Sequence, residues 1–183
     1  MSAQQHYSVK VYPYSSDWSM EFEKEKERLL EILASYVVTI EHTGSTSIPN
    51  QDAKPIIDIF AAVHTLLDEQ TYGNLLSNSG YRYIETGMTG RHFFVKEHAG
   101  ARTHHLHIFP LDGFYERNEL LFRDYLRAHP DFVKEYGELK RSLAEQYHSD
   151  PDGYTRGKTA FIQRVVDLAR TEHGLPLQNV WED

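Results

Sequence analysis

The sequence predicts an α+β protein, a mixed β-sheet packed with helices and followed by a helical C-terminal third. Short apolar segments separated by turn residues fill residues 37–113, which is the pattern of β-strands. Apolar residues recur at helical spacing in the first 33 residues and again after residue 115. We therefore expect a central sheet with helices before and after it.

The N-terminal half is predicted to form two helices and two strands. Asp17 is expected to cap a helix with one apolar face, formed by Trp18, Phe22, Leu29, Ile32 and Leu33. Strands are predicted at Val37–His42 and Ile56–Val63. A second helix is expected from about Leu66 to Ser79, because Gly80 is a good C-terminal stop.

The second half is predicted to complete the sheet and then become helical. Three further strands are expected, at Tyr81–Glu85, Arg91–Glu97 and Thr103–Phe109, and Pro110–Gly113 ends the sheet. Helices are expected at about Tyr115–Ala128, from Pro130 with the stripe Phe132, Tyr136, Leu139 and Leu143, and at about Thr155–Glu172 after a turn at Asp150–Gly153.

The length of 183 residues predicts a single domain, with a core at about 9–170 and a loosely structured tail at 174–183. Cysteine is absent, which excludes disulfides, thiolate metal sites and a cysteine nucleophile. Residues 1–10 are polar, and no apolar run approaches the roughly 20 residues that cross a bilayer. We therefore expect a cytoplasmic protein with no membrane partner.

The net charge of −8 argues against broad binding to nucleic acids or acidic membranes. It leaves room for one compact basic pocket that takes a small phosphate ligand.

The most informative segment is a Gly-Ser turn between two apolar strands. Gly44 lets the backbone approach a phosphate, and the serine after it and the neighbouring N–H groups of the turn can hydrogen-bond that phosphate. The next strand carries Asp58 among apolar neighbours, where an unpaired carboxylate is costly. Asp58 is expected either to hydrogen-bond to Lys54 or a backbone N–H, or to belong to a ligand or metal site.

A histidine-rich strand is the second candidate. Alternation places His105 and His107 on one face, opposite Leu106 and Ile108. Two imidazoles at this spacing can bind a transition metal or a phosphate, and they can equally be solvated or core histidines.

Basic residues form the third group. Lys158 falls within an apolar helical stripe with Tyr154, Phe161 and Val165, so its ammonium group can extend to a phosphate or to bulk water. Arg91 and Arg102 flank the predicted sheet as weaker anion-binding candidates.

The strand, the Gly-Ser turn and the acid-bearing strand are similar to the site of nucleotidyltransferases of the polymerase-β type. The chain as a whole, from about Val9 to Leu168, resembles the GrpB family of small bacterial proteins. The matching residues are Ile40–Pro49, Ala53–Ile59, His104–His107, Leu121–Pro130, and Tyr154 with Lys158, Phe161 and Ile162. This resemblance implies a nucleotidyltransferase-like fold, and the family name carries no established reaction.

The resemblance implies a nucleotide or other phosphate ligand, bound with a divalent metal ion (Mg²⁺ or Mn²⁺, or a transition metal) and open to nucleotidyl transfer. The expected catalytic residues are Asp58, Lys54 and Lys158. The residues expected to bind the phosphate or nucleotide are Gly44, Ser45, Thr46, Ser47 and Arg91. The expected metal ligands are Asp58, His105 and His107. The family usually has Asp-x-Asp where this chain has Asp58-Ile59-Phe60. Because Phe60 supplies no carboxylate, the alternative is an inactive module that binds a ligand or a protein partner.

Overall fold

A computed structural model describes residues 9–180 and confirms the predicted α+β class. Its helices are α1 (Asp17–Leu33), α2 (Glu69–Leu76), α3 (Asn118–Ala128), α4 (Pro130–Gln146), α5 (Pro151–Gly157) and α6 (Thr159–Glu172). Its strands are β1 (Val37–Thr43), β2 (Ile57–Val63), β3 (Tyr81–Tyr83), β4 (His92–His98) and β5 (Ala101–Pro110). Short 3-10 turns occur at Ala34–Tyr36, Ser45–Ser47, Ser77–Ser79 and Phe114–Glu116. Within these residues, no helix is both long and apolar enough to cross a membrane.

The sheet is mixed, as expected, with the strand order β1-β2-β5-β4-β3. β2 and β5 are parallel, and the other neighbouring strands are antiparallel. In this register Asp58 lies opposite His105, and Phe60 lies opposite His107. Because side chains alternate along a strand, these four residues share one face of the sheet.

Both faces of the sheet are covered. On one face, α1 and α2 bury the main core, which includes Leu29, Ile59, Leu76, Leu106 and Ile108. The opposite face carries Phe60 and Phe109 in a smaller cluster with Phe114 and Leu120, near the start of α3. The helical third of the chain has its own apolar cluster, which joins α3, α4 and α6. The candidate site lies where this helical part meets the sheet.

Several helix boundaries differ from the expectations. Asp17 is the first residue of α1 rather than its cap, and its N–H donates to Ser15 Oγ at 3.2 Å. α2 begins at Glu69 instead of about Leu66, since the Asp68 carboxylate accepts from Thr71 N–H at 2.8 Å and caps the helix there.

The last predicted helix is two helices. Asp150 caps α5 by accepting from Gly153 N–H at 2.9 Å, so the segment predicted as a turn already begins a helix. Lys158 then separates α5 from α6. Lys158 lies at the junction with φ −84° and ψ −16°.

The tail, expected to be loosely structured, has no helix or strand at residues 175–180 and is joined to α6 by hydrogen bonds. Leu175 N–H donates to Arg170 O at 2.9 Å. The Gln163 amide group donates to Gln178 O at 2.8 Å and accepts from Val180 N–H at 3.0 Å. Residues up to 180 therefore pack along α6, while residues 181–183 of the predicted tail, like residues 1–8, lie outside the described part.

Candidate functional site

A cleft of about 740 Å³ lies between the sheet and the C-terminal helices. Of the residues singled out in the sequence, the structure brings Gly44, Ser45, Asp58, Arg91, His107 and Lys158 to its wall. Thr46, Ser47, Lys54 and His105 are not part of the wall. The cleft thus gathers residues from β1, β2, β5 and the junction between α5 and α6.

Gly44 is required by its backbone conformation and by the space around it. Its φ of 69° and ψ of −178° lie in a region that only glycine occupies readily. A Cβ atom at this position would lie 2.2 Å from Asp58 Oδ2. The turn and the carboxylate therefore approach each other as closely as they do only because residue 44 has no side chain.

The hydroxyl groups of the turn divide into two roles. Ser47 Oγ donates to Gly44 O at 2.6 Å, and Thr46 Oγ1 donates to Ile56 O at 3.1 Å. Both residues are buried. These two hydroxyls therefore fasten the turn, and of the three only Ser45 belongs to the cleft wall. The predicted role of Thr46 and Ser47 in phosphate binding stays a prediction.

His42 supports the same turn from the core side. Its Nε2 lies 3.0 Å from Thr46 Oγ1, and its ring stacks on Phe22 with 4.5 Å between centroids. Burial and the nearby Arg127 and Arg123 lower the pKa of His42 to about 3, so the ring is neutral. Since Thr46 Oγ1 donates its own proton to Ile56, His42 Nε2 is the donor in this pair.

Two arginines of α3 hold the backbone of the turn. Arg127 Nη2 and Nε donate to Ser47 O at 2.8 and 3.1 Å. Arg123 Nη1 donates to His42 O and to Glu41 Oε2, each at 2.8 Å. These bonds fix the carbonyl groups of His42 and Ser47. They thereby restrict the orientation of the peptide groups between them.

Asp58 pairs with a histidine rather than with Lys54 or a backbone group. His105 Nδ1 lies 3.0 Å from Asp58 Oδ1. The side chain of Asp58 remains 32% exposed, and Oδ2 is the oxygen next to Gly44. One carboxylate oxygen is therefore committed to His105, and the other lies beside the turn.

The predicted metal set, Asp58 with His105 and His107, does not form a metal site. Among residues 9–180, no three His, Asp or Glu side chains are grouped so that they could hold a metal ion. His107 packs against aromatic rings, stacked on Phe93 at 4.4 Å between centroids and edge-on to Phe60 at 5.3 Å. Burial, reinforced by Arg91, lowers the pKa of His107 well below its usual value, so this ring is a neutral packing element.

Phe60 occupies the position of the missing second acid and belongs to the core. It is 3% exposed and packs with Ala62, Phe109, Phe114 and Leu120. The Phe60 ring stands where a second metal-binding carboxylate would be. Asp58 is therefore the single acid of the Asp-x-Asp position.

Lys140, which the sequence reasoning missed, is a buried cation beside the turn, with 2% exposure. Its Nζ donates to Ser45 Oγ at 3.0 Å and to Asp52 O, and lies 4.4 Å from the centre of the Tyr136 ring. Burial is the main cause that lowers its pKa to about 7. A usable signal existed, since Lys140 lies four residues after Tyr136 and three before Leu143, within the apolar stripe of α4.

Lys54 and Lys158 lie over one aromatic ring. Their Nζ atoms are 4.9 and 4.6 Å from the centre of Tyr154. Burial lowers the pKa of Lys54, and burial together with the charge of Lys54 lowers that of Lys158 to about 8. Lys158 in turn lowers the pKa of Lys140. We call these three residues, Lys54, Lys140 and Lys158, the lysine cluster.

The lysine cluster has few negative charges to balance it. In the described part of the chain, none of its ammonium groups forms an ion pair with a carboxylate: the Asp52 carboxylate pairs with Arg141, and that of Asp58 with His105. Three neighbouring cations in partly dry surroundings repel one another, which is unfavourable unless an anion joins them. A negatively charged group beside the cluster, next to Ser45, would relieve this repulsion.

Arg91 contributes to the cleft wall from the start of β4. Its Nη1 lies 3.7 Å from Glu119 Oε1, and its guanidinium carbon lies 5.8 Å from the centre of the Phe109 ring. Its predicted contact with a phosphate stays a prediction.

Comparison with known proteins places this geometry in a family. The model of the GrpB protein family matches residues 8–168. The chain belongs to the GrpB family. The crystal structure of the conserved GrpB protein from Enterococcus faecalis is 35% identical, with a TM-score of 0.83, over 90% of this chain and 99% of that chain.

Two curated relatives extend the GrpB comparison. UPF0157 protein YqkA of Bacillus subtilis is 39% identical over 88% of this chain, and a UPF0157 protein of Pseudomonas aeruginosa is 40% identical over 90% of it. The chain spans about half of the Bacillus protein, since the match covers 47% of that protein, and 70% of the Pseudomonas protein.

A distant structural neighbour indicates the wider fold. CdnC, in the structure of the Escherichia coli MS115-1 CdnC:HORMA-deltaN complex, has a TM-score of 0.50 at 13% identity. The match covers 93% of this chain and 64% of that one. At this identity the likeness concerns the fold alone, and it agrees with the nucleotidyltransferase-like architecture expected from the turn and Asp58.

Proposed function

We propose that the cleft binds the phosphate groups of a nucleotide or a related phosphate ester. The observation that carries this proposal is the lysine cluster, three desolvated cations without carboxylate partners in the described part of the chain. Gly44 and Ser45 would add hydrogen-bond donors at the adjacent turn. Lys140 would bridge the two parts, because its ammonium group already contacts Ser45 Oγ.

The divalent ions associated with this kind of fold do not fit the residues present. A two-ion site needs carboxylates that bridge both ions. Here Phe60 replaces one carboxylate, Asp58 Oδ1 is taken by His105, and His107 is packed between rings. The Asp58, His105 and His107 set offers too few free donor atoms, so we derive no step through a metal ion.

Nucleotidyl transfer is the second candidate function, favoured by the position of Asp58 beside the Gly44 turn. In this reaction the oxygen of an acceptor hydroxyl would bond to the α-phosphorus and its proton would pass to solvent. The bond between the α-phosphorus and the oxygen bridging to the β-phosphate would break, and pyrophosphate would leave. Lys54 and Lys158 would stabilise the charge on the leaving group. The competing view, a module that binds without turnover, is supported by the core position of Phe60.

Calorimetric titration with the four ribonucleoside triphosphates tests binding. We expect the wild-type protein to bind at least one of them, and Lys140→Met to lose affinity by about 10- to 100-fold, as expected for one charge-assisted contact. Lys134→Met is the matched control, because Lys134 is an exposed lysine on the same helix. Equal losses in the two variants, or no binding by the wild type, would refute the proposed site.

Product analysis separates transfer from binding alone. Incubation of the wild type with the tightest-binding nucleotide should release pyrophosphate if the cleft is catalytic, and Asp58→Asn should slow that release. Tight binding without pyrophosphate release from any of the four nucleotides would favour the binding module.

A further inference from the structure

We propose that the lysine cluster provides the charge neutralisation for which other sites of this type use divalent ions, so that the ligand binds as a metal-free polyphosphate. This inference rests on the proposed phosphate-binding function and specifies the ionic form of the ligand.

The cleft offers a metal ion few oxygen donors from the acid-bearing strand. A hard cation prefers several oxygen ligands in a defined arrangement, and Mg²⁺ in particular is held through carboxylates. The cleft wall presents one carboxylate from the acid-bearing strand, and one of its two oxygens is bonded to His105. Phe60 fills the other position with a ring that is 3% exposed. A metal ion would therefore find roughly one free oxygen from this strand.

Each ammonium group of the lysine cluster lies over an aromatic ring. The ammonium groups of Lys54 and Lys158 share the Tyr154 ring, and Lys140 touches both Ser45 and the face of Tyr136. These aromatic rings exclude water from one side of each ammonium group, which strengthens its attraction for an anion. Lys158 lies in the cleft wall, and Lys140 is hydrogen-bonded to Ser45 of the same wall.

Few carboxylate charges act on the lysine cluster. Asp58 is the carboxylate whose charge acts on Lys158, and Asp52, which acts on Lys140, is already paired with Arg141. The charged residues of the cleft wall are Asp58, Glu116 and Glu119 on one side of the balance and Arg91, Arg117, Lys158 and Arg170 on the other. With Lys140 bonded to Ser45 of this wall, a polyphosphate entering the cleft would meet an excess of positive charge. A divalent ion chelated to that polyphosphate would bring additional positive charge towards the three lysines and would be repelled. The cleft should therefore prefer the free polyphosphate to its magnesium complex.

The test compares the two ionic forms of one probe. Inorganic pyrophosphate and ATP are titrated calorimetrically into the full chain, first with excess EDTA and then with excess Mg²⁺. We expect binding in EDTA, at least tenfold weaker binding in Mg²⁺, and loss of the EDTA-phase binding in Lys140→Met and in Lys158→Met. The second variant guards against misfolding of the first, because Lys158 is less buried than Lys140. Lys134→Met should bind as the wild type does.

Each other outcome is decisive. Binding that requires Mg²⁺, or that strengthens when Mg²⁺ is added, would overturn this inference and leave the phosphate-binding function standing. Absence of binding in both conditions would overturn the inference together with the proposed function. Binding in EDTA that both folded lysine variants retain in full would assign the phosphate to another surface and would also refute it.

Discussion

Replacing Gly44 by alanine should disrupt the turn and Asp58 together. The backbone region of Gly44 costs a non-glycine residue about 1–3 kcal/mol. The new Cβ would lie 2.2 Å from Asp58 Oδ2, and such overpacking typically adds about 1–3 kcal/mol. Gly44→Ala should therefore reduce the free energy of unfolding by about 2–6 kcal/mol in urea denaturation.

Gly80→Ala is the matched control for this substitution. Gly80 also has a positive φ, 83°, but a Cβ there would meet only Lys96 carbons at 3.7 Å, an ordinary contact. The cost should then be that of the left-handed backbone alone, about 1–2 kcal/mol.

A double-mutant cycle isolates the clash between the two residues. Asp58→Ala removes the carboxylate, so Gly44→Ala should cost at least about 1 kcal/mol less in that background than in the wild type. Additivity of the two changes, or a Gly44→Ala cost equal to that of Gly80→Ala, would refute the claim that the glycine is there to admit the carboxylate.

Three further perturbations follow from the site. Pyrophosphate affinity should fall as the pH rises from about 7 to 9, because Lys140 and Lys158, with pKa values of about 7 and 8, lose their protons in that range; calorimetry at several pH values checks this, and Lys140→Met should flatten the profile. Phe60→Asp should destabilise the fold by several kcal/mol and bring no gain in Mg²⁺ affinity, since it buries an unpaired acid; thermal circular dichroism checks this, and a stable variant with tighter Mg²⁺ binding would contradict it. Arg127→Met should weaken pyrophosphate binding about tenfold by releasing Ser47 O; unchanged affinity in the same titration would show that the turn holds itself.

The fold could be predicted from local pattern because its elements are strongly marked. The approach of Gly44 to Asp58 follows from the antiparallel pairing of β1 with β2, in which Thr43, the residue before Gly44, pairs with Asp58. Helix ends were harder to place, because they depend on single hydrogen bonds such as that from Gly153 N–H to Asp150. The break at Lys158 left no mark in the apolar periodicity.

The chemistry of the cleft could be predicted less well. Alternation along β5 correctly placed His105 and His107 on one face, but it says nothing about what covers that face. Phe93, from the neighbouring strand, stacks on the His107 ring, a contact that the pattern of β5 alone does not predict. Lys140 was missed because its partner, Ser45, is 95 positions away in sequence, a contact that only the tertiary structure supplies.

The bonds that fasten the turn also set the order in which the molecule can assemble. Ser47 is held by a residue 80 positions later, Glu41 by one 82 positions later, and Ser45 by one 95 positions later. Contacts this distant require closure of long chain loops and form late in folding. A nascent chain that ends before α3 could pair β1 with β2, yet its Gly-Ser turn would lack every one of these restraints. Phosphate-binding competence should therefore be acquired last during synthesis, and under mild denaturant it should be lost before the strand hydrogen bonds open.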